Sequence, residues 1–200
     1  ALHRLGEPGA LVVEAEGAAA LVDVLLADAR RDTILAGPGL PPDATTRDTV
    51  SRLLAAGRKI VADAGALTAF AGDPGGLRGA AILTPHAAEF ARLFGPVGED
   101  RLAAARAAAR RMGGVILLKG SDTVVAAPDG RAAINHNAPP WLATGGTGDV
   151  LAGLAAALLA QGMPAFEAAC AAAWIQGEAA TRIGPGLLAE DLAGAFRDLM

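Results

Sequence analysis

The stretch "TILAGPGLPPDATTRDTVSRLLAAGRKIVADAGAL" (33–67) contains the unit on which the fold prediction depends. Two short apolar runs, at 33–37 and 59–63, read as buried strands, and the segment 44–57 between them reads as a helix. A strand, a helix and a second strand in this order are typical of parallel pairing, since parallel strands need a long crossover connection. The stretch therefore predicts an α/β domain with a mainly parallel sheet.

The same alternation continues on both sides of this stretch. Further strands are predicted at 10–13, 80–84 and 114–120, with helices at 17–30, 86–94 and 99–112. The segment "DTVVAAPDGRAAINHN" (122–137) predicts a hairpin that turns at Pro128-Asp129-Gly130 and adds antiparallel strands at the sheet edge. The remaining segments 149–161, 164–182 and 189–199 are predicted helices. Because no repeat or linker interrupts this pattern, the sequence predicts one domain over residues 1–200.

The composition excludes several classes of protein. Hydrophobic residues make up 52% and charged residues 19%, which favours a compact globular chain over a disordered one. The net charge of −4 leaves no basic surface for a nucleic acid. The apolar runs are short, rich in alanine and interrupted by Gly, Pro or charge, so we expect no membrane span.

Cysteine and histidine usage adds little chemistry. Cys170 is the single cysteine, so no internal disulfide can form, and we expect a reducing cytoplasm and a core position for this thiol. His3 and His136 are expected on the surface. The N-terminal "ALHRLGEPGALVV" has neither a signal-peptide pattern nor an initiator Met, so we expect the chain to be a piece of a longer one.

Polar residues follow four of the predicted strands at their carboxyl ends. The changes occur in "AGPGL" (36–40), "ADAGAL" (62–67), "LTPHAAE" (83–89) and "LLKGSDT" (117–123). Ligands of open α/β sheets bind outside the carboxyl ends of the strands. We therefore expect a functional site at this edge.

The glycine-rich stretch "GGTGD" (145–149) supports two interpretations. Gly145, Gly146, Thr147 and Gly148 can direct backbone N–H groups at one point and form an anion nest at a helix N-terminus. Asp149 would then be a base that takes a proton from a hydroxyl attacking a phosphate. Alternatively, Asp149 is a cap or first-turn residue of a helix after a flexible loop. No P-loop or GxGxxG pattern is present.

Three more residues also have a structural and a functional interpretation. Lys119 ends a buried apolar strand, so its ammonium either emerges into solvent or meets an anion. His86, with Glu89 three residues later, matches a helix-entry signal and could equally face a ligand. Asp63 could be a plain cap at the end of a strand.

Taken together and in order, these motifs resemble the ADP/ATP-dependent NAD(P)H-hydrate dehydratases, a ribokinase-like family. The resemblance rests on "GPGL" (37–40), "DAGAL" (63–67), "LTPHAAEF" (83–90), "LLKGSDT" (117–123), "APPWLATGGTGDVLAGLAAALLAQG" (138–162), "AAAWIQGEAA" (171–180) and "GPGLLAEDL" (184–192). It implies a three-layer α/β/α sandwich with a mostly parallel sheet and an antiparallel edge hairpin.

The sequence departs from the family pattern in four places. Gly65 stands where the family has the second aspartate of Asp-Ala-Asp-Ala-Leu, Ala88 replaces a glycine, and Gln176 replaces a histidine. The family also begins with a Gly-rich strand–loop–helix unit that nothing in this chain matches. We therefore expect residues 1–200 to form the dehydratase domain without its N-terminal unit.

The resemblance implies a reaction in which hydrated NADH or NADPH is dehydrated after a nucleotide phosphorylates the ring hydroxyl. In this reaction Asp149 is the base and substrate ligand, Gly39 and His86 bind the hydrated dinucleotide, and the nest of Gly145, Gly146 and Thr147 binds phosphate. The nucleotide ligands would be Lys119, Gly120, Ser121, Asp122, Thr123 and Gly148. ADP or ATP is the implied co-substrate, together with Mg²⁺ whose ligands stay unassigned.

The family also implies further partners: a homo-oligomer and, in many bacterial members, an epimerase domain in the same chain. Two other functions remain open. One is a ribokinase-like kinase of small molecules such as thiazole or pyrimidine alcohols, which would leave a stable phosphorylated product. The other is a non-catalytic nucleotide-binding remnant, which would bind ADP without turnover.

Overall fold

The structure is a computed structural model, and it describes residues 11–199. Strands β1 to β6 span Thr33–Ala36, Lys59–Ala62, Ile82–Leu83, Val115–Leu118, Thr123–Ala126 and Ala132–Asn135. Helices α1 to α8 span Gly17–Leu26, Ala44–Ala55, Ala64–Ala69, Ala87–Phe94, Arg101–Met112, Thr147–Ala160, Ala165–Ile183 and Ala189–Ala195. Short 3₁₀ segments occupy Pro74–Leu77, Pro140–Leu142 and Phe196–Asp198.

The six strands form one sheet in the order β1-β2-β3-β4-β5-β6. Strands β1 to β4 pair in parallel, and β4, β5 and β6 pair antiparallel, with Ile116 opposite Ala126 and Val124 opposite Ile134. The turn between β5 and β6 closes where Ala127 N donates to Arg131 O, around Gly130 at φ +97°. This arrangement confirms the parallel sheet and the edge hairpin that the sequence predicts.

Helices cover both faces of the sheet because the central strands are buried on both sides. In β4, Ile116 and Leu118 contribute to one core, together with helices α1, α2, α4 and α5. Val115 and Leu117 contribute to the other core, under α6, α7 and α8. The alternation of side chains along a strand thus produces the predicted three-layer α/β/α sandwich.

The prediction of a strand at 10–13 is wrong for residues 11–13, the part of it that the structure describes. Ala10 lies outside the described residues, and residues 11–13 are not part of a strand, with Leu11 87% exposed. Among the described strands β1 pairs only with β2.

Other differences concern helix ends. The helix predicted at 17–30 stops at Leu26, because Asp28 accepts a hydrogen bond from the backbone N–H of Arg30 and forms a local turn instead. The helix predicted at 189–199 ends at Ala195 and continues as 3₁₀ turns. Over the described range 11–199, no helix combines the length and the apolar character that a membrane crossing requires.

Candidate active site

The loops after β2, β3 and β4 meet at the carboxyl edge of the sheet. Asp63 follows β2, His86 follows β3 and Lys119 follows β4. His86 and Lys119 pair as an isolated parallel bridge, and Lys119 N donates to Pro85 O at 2.8 Å. The structure therefore brings together three polar residues that are far apart in sequence, at the edge where parallel sheets bind ligands.

Lys119 meets an anion of the protein itself. Its Nζ lies 2.7 Å from Asp63 Oδ1 and 3.9 Å from Glu89 Oε2. Asp63 is fully buried, and its Oδ2 has no hydrogen-bond partner within the described chain. Although Asp63 occupies the N-cap position of α3, its side chain makes no cap hydrogen bond there. The carboxylate is therefore a partner of Lys119 and not a helix cap.

His86 has the structural role that its sequence context indicates. It is the N-cap of α4, where Nδ1 accepts from Ala88 N at 3.1 Å and from Glu89 N at 3.2 Å. Glu89 Oε2 accepts in return from His86 N at 2.9 Å, which completes a capping box. This hydrogen-bond pattern assigns the ring proton to Nε2, on a side chain that is half exposed. The ring can still offer that N–H to a ligand.

The glycine-rich turn begins α6 two residues earlier than predicted. Gly146 is the N-cap in the left-handed region at φ +89°, and Thr147 opens the helix. Thr147 Oγ1 lies 2.8 Å from the carbonyl oxygens of Leu142 and Thr144, which ties the turn to the preceding loop. Asp149 is exposed in the first helical turn. Of the two structural interpretations of Asp149, the first-turn position is confirmed.

A cavity of about 520 Å³ lies between this turn and the end of β4. It is lined by Lys119, Gly120, Ser121, Thr123, Ala138, Pro139, Pro140, Leu142, Ala143, Thr147, Gly148, Leu151 and Gln176. One side is polar and carries the Lys119 ammonium; the other is built largely from alanine, proline and leucine. A Cβ on Gly148 would lie 3.4 Å from Lys119 Nζ, so the ammonium lies directly beside the first turn of α6.

Several predicted site residues lie outside the lining of this cavity: Gly39, His86, Asp122, Gly145, Gly146 and Asp149. Asp122 instead faces Arg101, whose Nε lies 3.6 Å from Asp122 Oδ1. The roles assigned to these residues from the family resemblance stay predictions.

The loop after β1 packs directly on the segment after β2. Gly37, at φ +133°, has its backbone so close to Asp63 that a Cβ would lie 2.6 Å from the Asp63 carbonyl carbon. A Cβ on Gly65 would meet the Leu40 carbonyl group in the same way. Glycine at 65, a departure from the family pattern, is thus explained because the loop 37–40 occupies the space of a side chain.

Three supporting residues were not anticipated from the sequence. Arg101 Nη2 donates to Lys119 O at 3.1 Å and fills the space that a side chain on Gly120 would need. Asn137 Nδ2 donates to Trp174 O at 2.9 Å, which anchors the segment before the proline wall of the cavity. Gln176 Nε2 donates to Thr147 O at 2.6 Å. No local pattern marks such contacts, because each joins residues 18 to 37 positions apart.

The remaining sequence predictions concern surface and core positions. His136 is exposed as predicted, and His3 lies outside the described residues. Cys170 is partly buried and packs against the second core, and burial raises the pKa of its thiol.

Comparison with known proteins gives a consistent result. Residues 8–192 match the family model Carb_kinase, described as NAD(P)H-hydrate dehydratase. The chain is 48% identical over 126 residues to the ADP-dependent (S)-NAD(P)H-hydrate dehydratase of Neisseria meningitidis, covering 58% of this chain and 43% of that protein.

Solved structures agree with the sequence comparison. The ADP/ATP-dependent NAD(P)H-hydrate dehydratase of Bacillus subtilis, co-crystallized with ATP/Mg²⁺ and soaked with CoA, has a TM-score of 0.73 and 30% identity, covering 84% of this chain and 65% of that one. A ribokinase-like superfamily protein of Enterococcus faecalis has a TM-score of 0.83 and 29% identity, covering 98% of this chain and 71% of that one. The predicted ribokinase-like fold is confirmed.

The chain spans less than half the length of the curated relatives it matches, several of which are named bifunctional NAD(P)H-hydrate repair enzymes.

Proposed function

This chain belongs to the NAD(P)H-hydrate dehydratase family, and we propose that it carries the nucleotide-dependent step that returns hydrated NADH or NADPH to the active cofactor. The ring hydroxyl attacks the terminal phosphorus of the nucleotide and displaces the shorter nucleotide, AMP when ADP is the donor. The phosphate ester then leaves as inorganic phosphate, and loss of a proton from the neighbouring ring carbon restores the double bond. The observation that carries this proposal is the cavity that places Lys119 beside Gly148 at the start of α6.

The start of α6 supplies the electrostatics that phosphoryl transfer requires. Backbone N–H groups of a helix N-terminus are unsatisfied by the helix itself and carry partial positive charge, so they bind phosphate. The left-handed turn at Gly146 leads directly into that terminus. Groups of this kind that are fixed before the reaction contribute a large share of catalysis, since they need no reorganisation as charge develops.

The cavity suits a nucleotide in size and in chemistry. Small-molecule sites typically have volumes of about 300–1,000 Å³ with mainly apolar walls and a few polar groups. The cavity is within this range, and Lys119 with Ser121 and Thr123 forms its polar side. ADP is the proposed donor, because the Neisseria relative is named ADP-dependent.

Mg²⁺ would enter with the nucleotide. Among residues 11–199, no group of three or more His, Cys, Asp or Glu side chains is placed to hold a metal ion. Mg²⁺ in enzymes of phosphoryl transfer is held largely by the substrate phosphates and water, so it needs no such cage. When bound there it neutralises charge on the phosphate oxygens.

Asp149 is the proposed base, and its replacement tests the proposal. Asp149→Asn should abolish the ADP-dependent recovery of 340 nm absorbance from hydrated NADH and leave the far-ultraviolet circular dichroism unchanged. Asp48→Asn is the matched control, because Asp48 is also an exposed aspartate within a helix, α2, and it should keep full activity. Near-normal turnover by Asp149→Asn would remove Asp149 from the base role.

The assay should use both this chain and the longest chain that its gene encodes. We propose that residues 1–200 form the dehydratase domain without the Gly-rich unit of the family, with an epimerase domain in the same full-length chain, a homo-oligomeric assembly and a cytoplasmic location. A stable phosphorylated product without phosphate release would indicate a small-molecule kinase instead. Binding of ADP by the full-length chain without turnover would indicate a non-catalytic remnant.

A further inference from the structure

Lys119 has an unusual set of neighbours for a residue that lines a nucleotide cavity. Its ammonium lies between two carboxylates, those of Asp63 and Glu89, and all three side chains are largely or fully buried. The formal charges of the three groups sum to −1, so the cluster opposes a phosphate unless the ammonium faces it directly. Lysine side chains in such surroundings are held in place by their partners, since burial of an unpaired charge is costly.

The two carboxylates differ in how they are held. Glu89 is already engaged with the backbone N–H of His86, in the capping box of α4. Asp63, in contrast, uses one oxygen for Lys119 at 2.7 Å, and its other oxygen has no partner in the described chain. Lys119 is thus the single described side chain bonded to the Asp63 carboxylate.

The position of the ammonium is as specific as its partners. It lies beside Gly148 in the first turn of α6, which contributes to the cavity lining. It also bonds to Asp63, whose backbone is in contact with Gly37 in the loop after β1. The ammonium therefore lies between the nucleotide cavity and the loop that carries the predicted substrate ligand Gly39.

We propose that Asp63 is a positioning residue that holds the Lys119 ammonium at the start of α6, where it meets the phosphoryl group during transfer. This inference rests on the proposed function and assigns Asp63 a part in it. Lys119 has a long flexible stem, and without its tether the ammonium would occupy many positions. Displacement of a catalytic group by about 1 Å can cost on the order of 10²-fold in rate.

The first test measures how rigidly the Lys119 ammonium group is held, and it does not require enzymatic activity. The chain contains only two lysines, Lys59 and Lys119, so each gives an assignable ¹⁵N ammonium signal by nuclear magnetic resonance. Lys59 is a matched control, because its Nζ lies 2.8 Å from Asp32 but both side chains are about half exposed. We expect a rigid Lys119 ammonium and a mobile Lys59. Addition of ADP should shift the Lys119 signal alone, and an equally mobile Lys119 would overturn the proposal.

The second test asks whether Asp63 acts through Lys119. Asp63→Asn should lower kcat by about 10–100-fold with less than about a threefold change in the KM for ADP. Lys119→Met should lower kcat more, and the double variant should be no slower than Lys119→Met alone. Two losses that multiply would show that Asp63 acts independently and would overturn the proposal.

The variant Thr84→Val serves as a control that distinguishes a structural role of Asp63 from a positioning role. Thr84 is also fully buried at this edge, and its Oγ1 donates to Ala62 O. Its replacement should lower the melting temperature, while its effect on kcat should stay small and multiply with that of Lys119→Met. If Asp63→Asn does not fold, the rigidity of the Lys119 ammonium in the unmodified chain still tests the proposed positioning role of Asp63. If ADP shifts the Lys119 signal but hydrated NADH is not repaired, the proposed function fails and the positioning role stands.

Discussion

Replacement of Gly65 by alanine is a direct test of how closely the loop after β1 packs on helix α3. A Cβ at this position would lie 3.0 Å from the Leu40 carbonyl carbon and closer still to its oxygen. Because the obstacle is backbone, it cannot be relieved by a rotamer change, and overpacking of this kind costs about 1–3 kcal/mol. Alanine gains at most about 1 kcal/mol over glycine within a helix. We therefore expect a net loss of about 1 kcal/mol in the free energy of unfolding.

The measurement is thermal unfolding by circular dichroism, with Gly153→Ala as the control. Gly153 lies inside α6, and a Cβ there would meet no atom within 4 Å, so only the helix-propensity gain applies. For a chain of this size about 1 kcal/mol changes the melting temperature by about 2–4 °C. Gly65→Ala should therefore melt about 2–4 °C lower, and Gly153→Ala about 1–4 °C higher. An equal rise for both variants would refute the packing of loop 37–40 on Gly65.

Three further predictions concern long-range contacts. Trp141→Phe removes the 2.8 Å hydrogen bond to Ala180 O, which still accepts from Gly184 N, so it should lower the free energy of unfolding by about 0.5–1.5 kcal/mol in urea titrations. Gln176→Leu removes the donor to Thr147 O and should weaken ADP binding in calorimetry, whereas Gln176→His, which keeps a donor, should bind more tightly than Gln176→Leu. The backbone N–H of Arg131, and after it the guanidinium, lowers the pKa of Asp129, and the guanidinium lowers the pKa of Glu167. The guanidinium therefore stabilises the fold above the unfolded pKa of these carboxylates, near 4. The stability deficit of Arg131→Ala should accordingly be largest at neutral pH and shrink below about pH 4; a deficit that grows in acid would contradict this sign.

The parts of the fold that the sequence predicts are those with a local cause. Strand β4 is a run of four buried apolar residues, and the hairpin that follows turns at a Pro-Asp-Gly sequence, so both leave a pattern within a few residues. Helix α3 leaves no such local pattern, because a helix of six residues is too short to show a helical period. At its start the backbones of Gly37 and Asp63 approach each other closely, which is a tertiary contact.

The residues of the candidate site likewise fall into those that a local sequence pattern identifies and those that only the tertiary structure identifies. Lys119 and the turn at 145–149 could be identified from residue types at strand and helix ends. The partner of Lys119 could not, because an apolar strand end followed by lysine is compatible with solvent or with any anion. Asp63 is 56 positions away, and only the pairing of β2 with β3 and of β3 with β4 brings it to hydrogen-bond distance.

The hydrogen bonds of His86 limit which group can take the proton from the substrate hydroxyl. While α4 keeps its cap, Nδ1 accepts from two backbone N–H groups and the ring proton is on Nε2, so the imidazole can donate but has no free lone pair. Glu89 and Asp63 are engaged with His86 N and Lys119. Asp149, exposed in the first turn of α6, forms no ion pair with another residue of the described range 11–199. These contacts are consistent with the proposed mechanism, in which His86 has a binding role and Asp149 the role of the base.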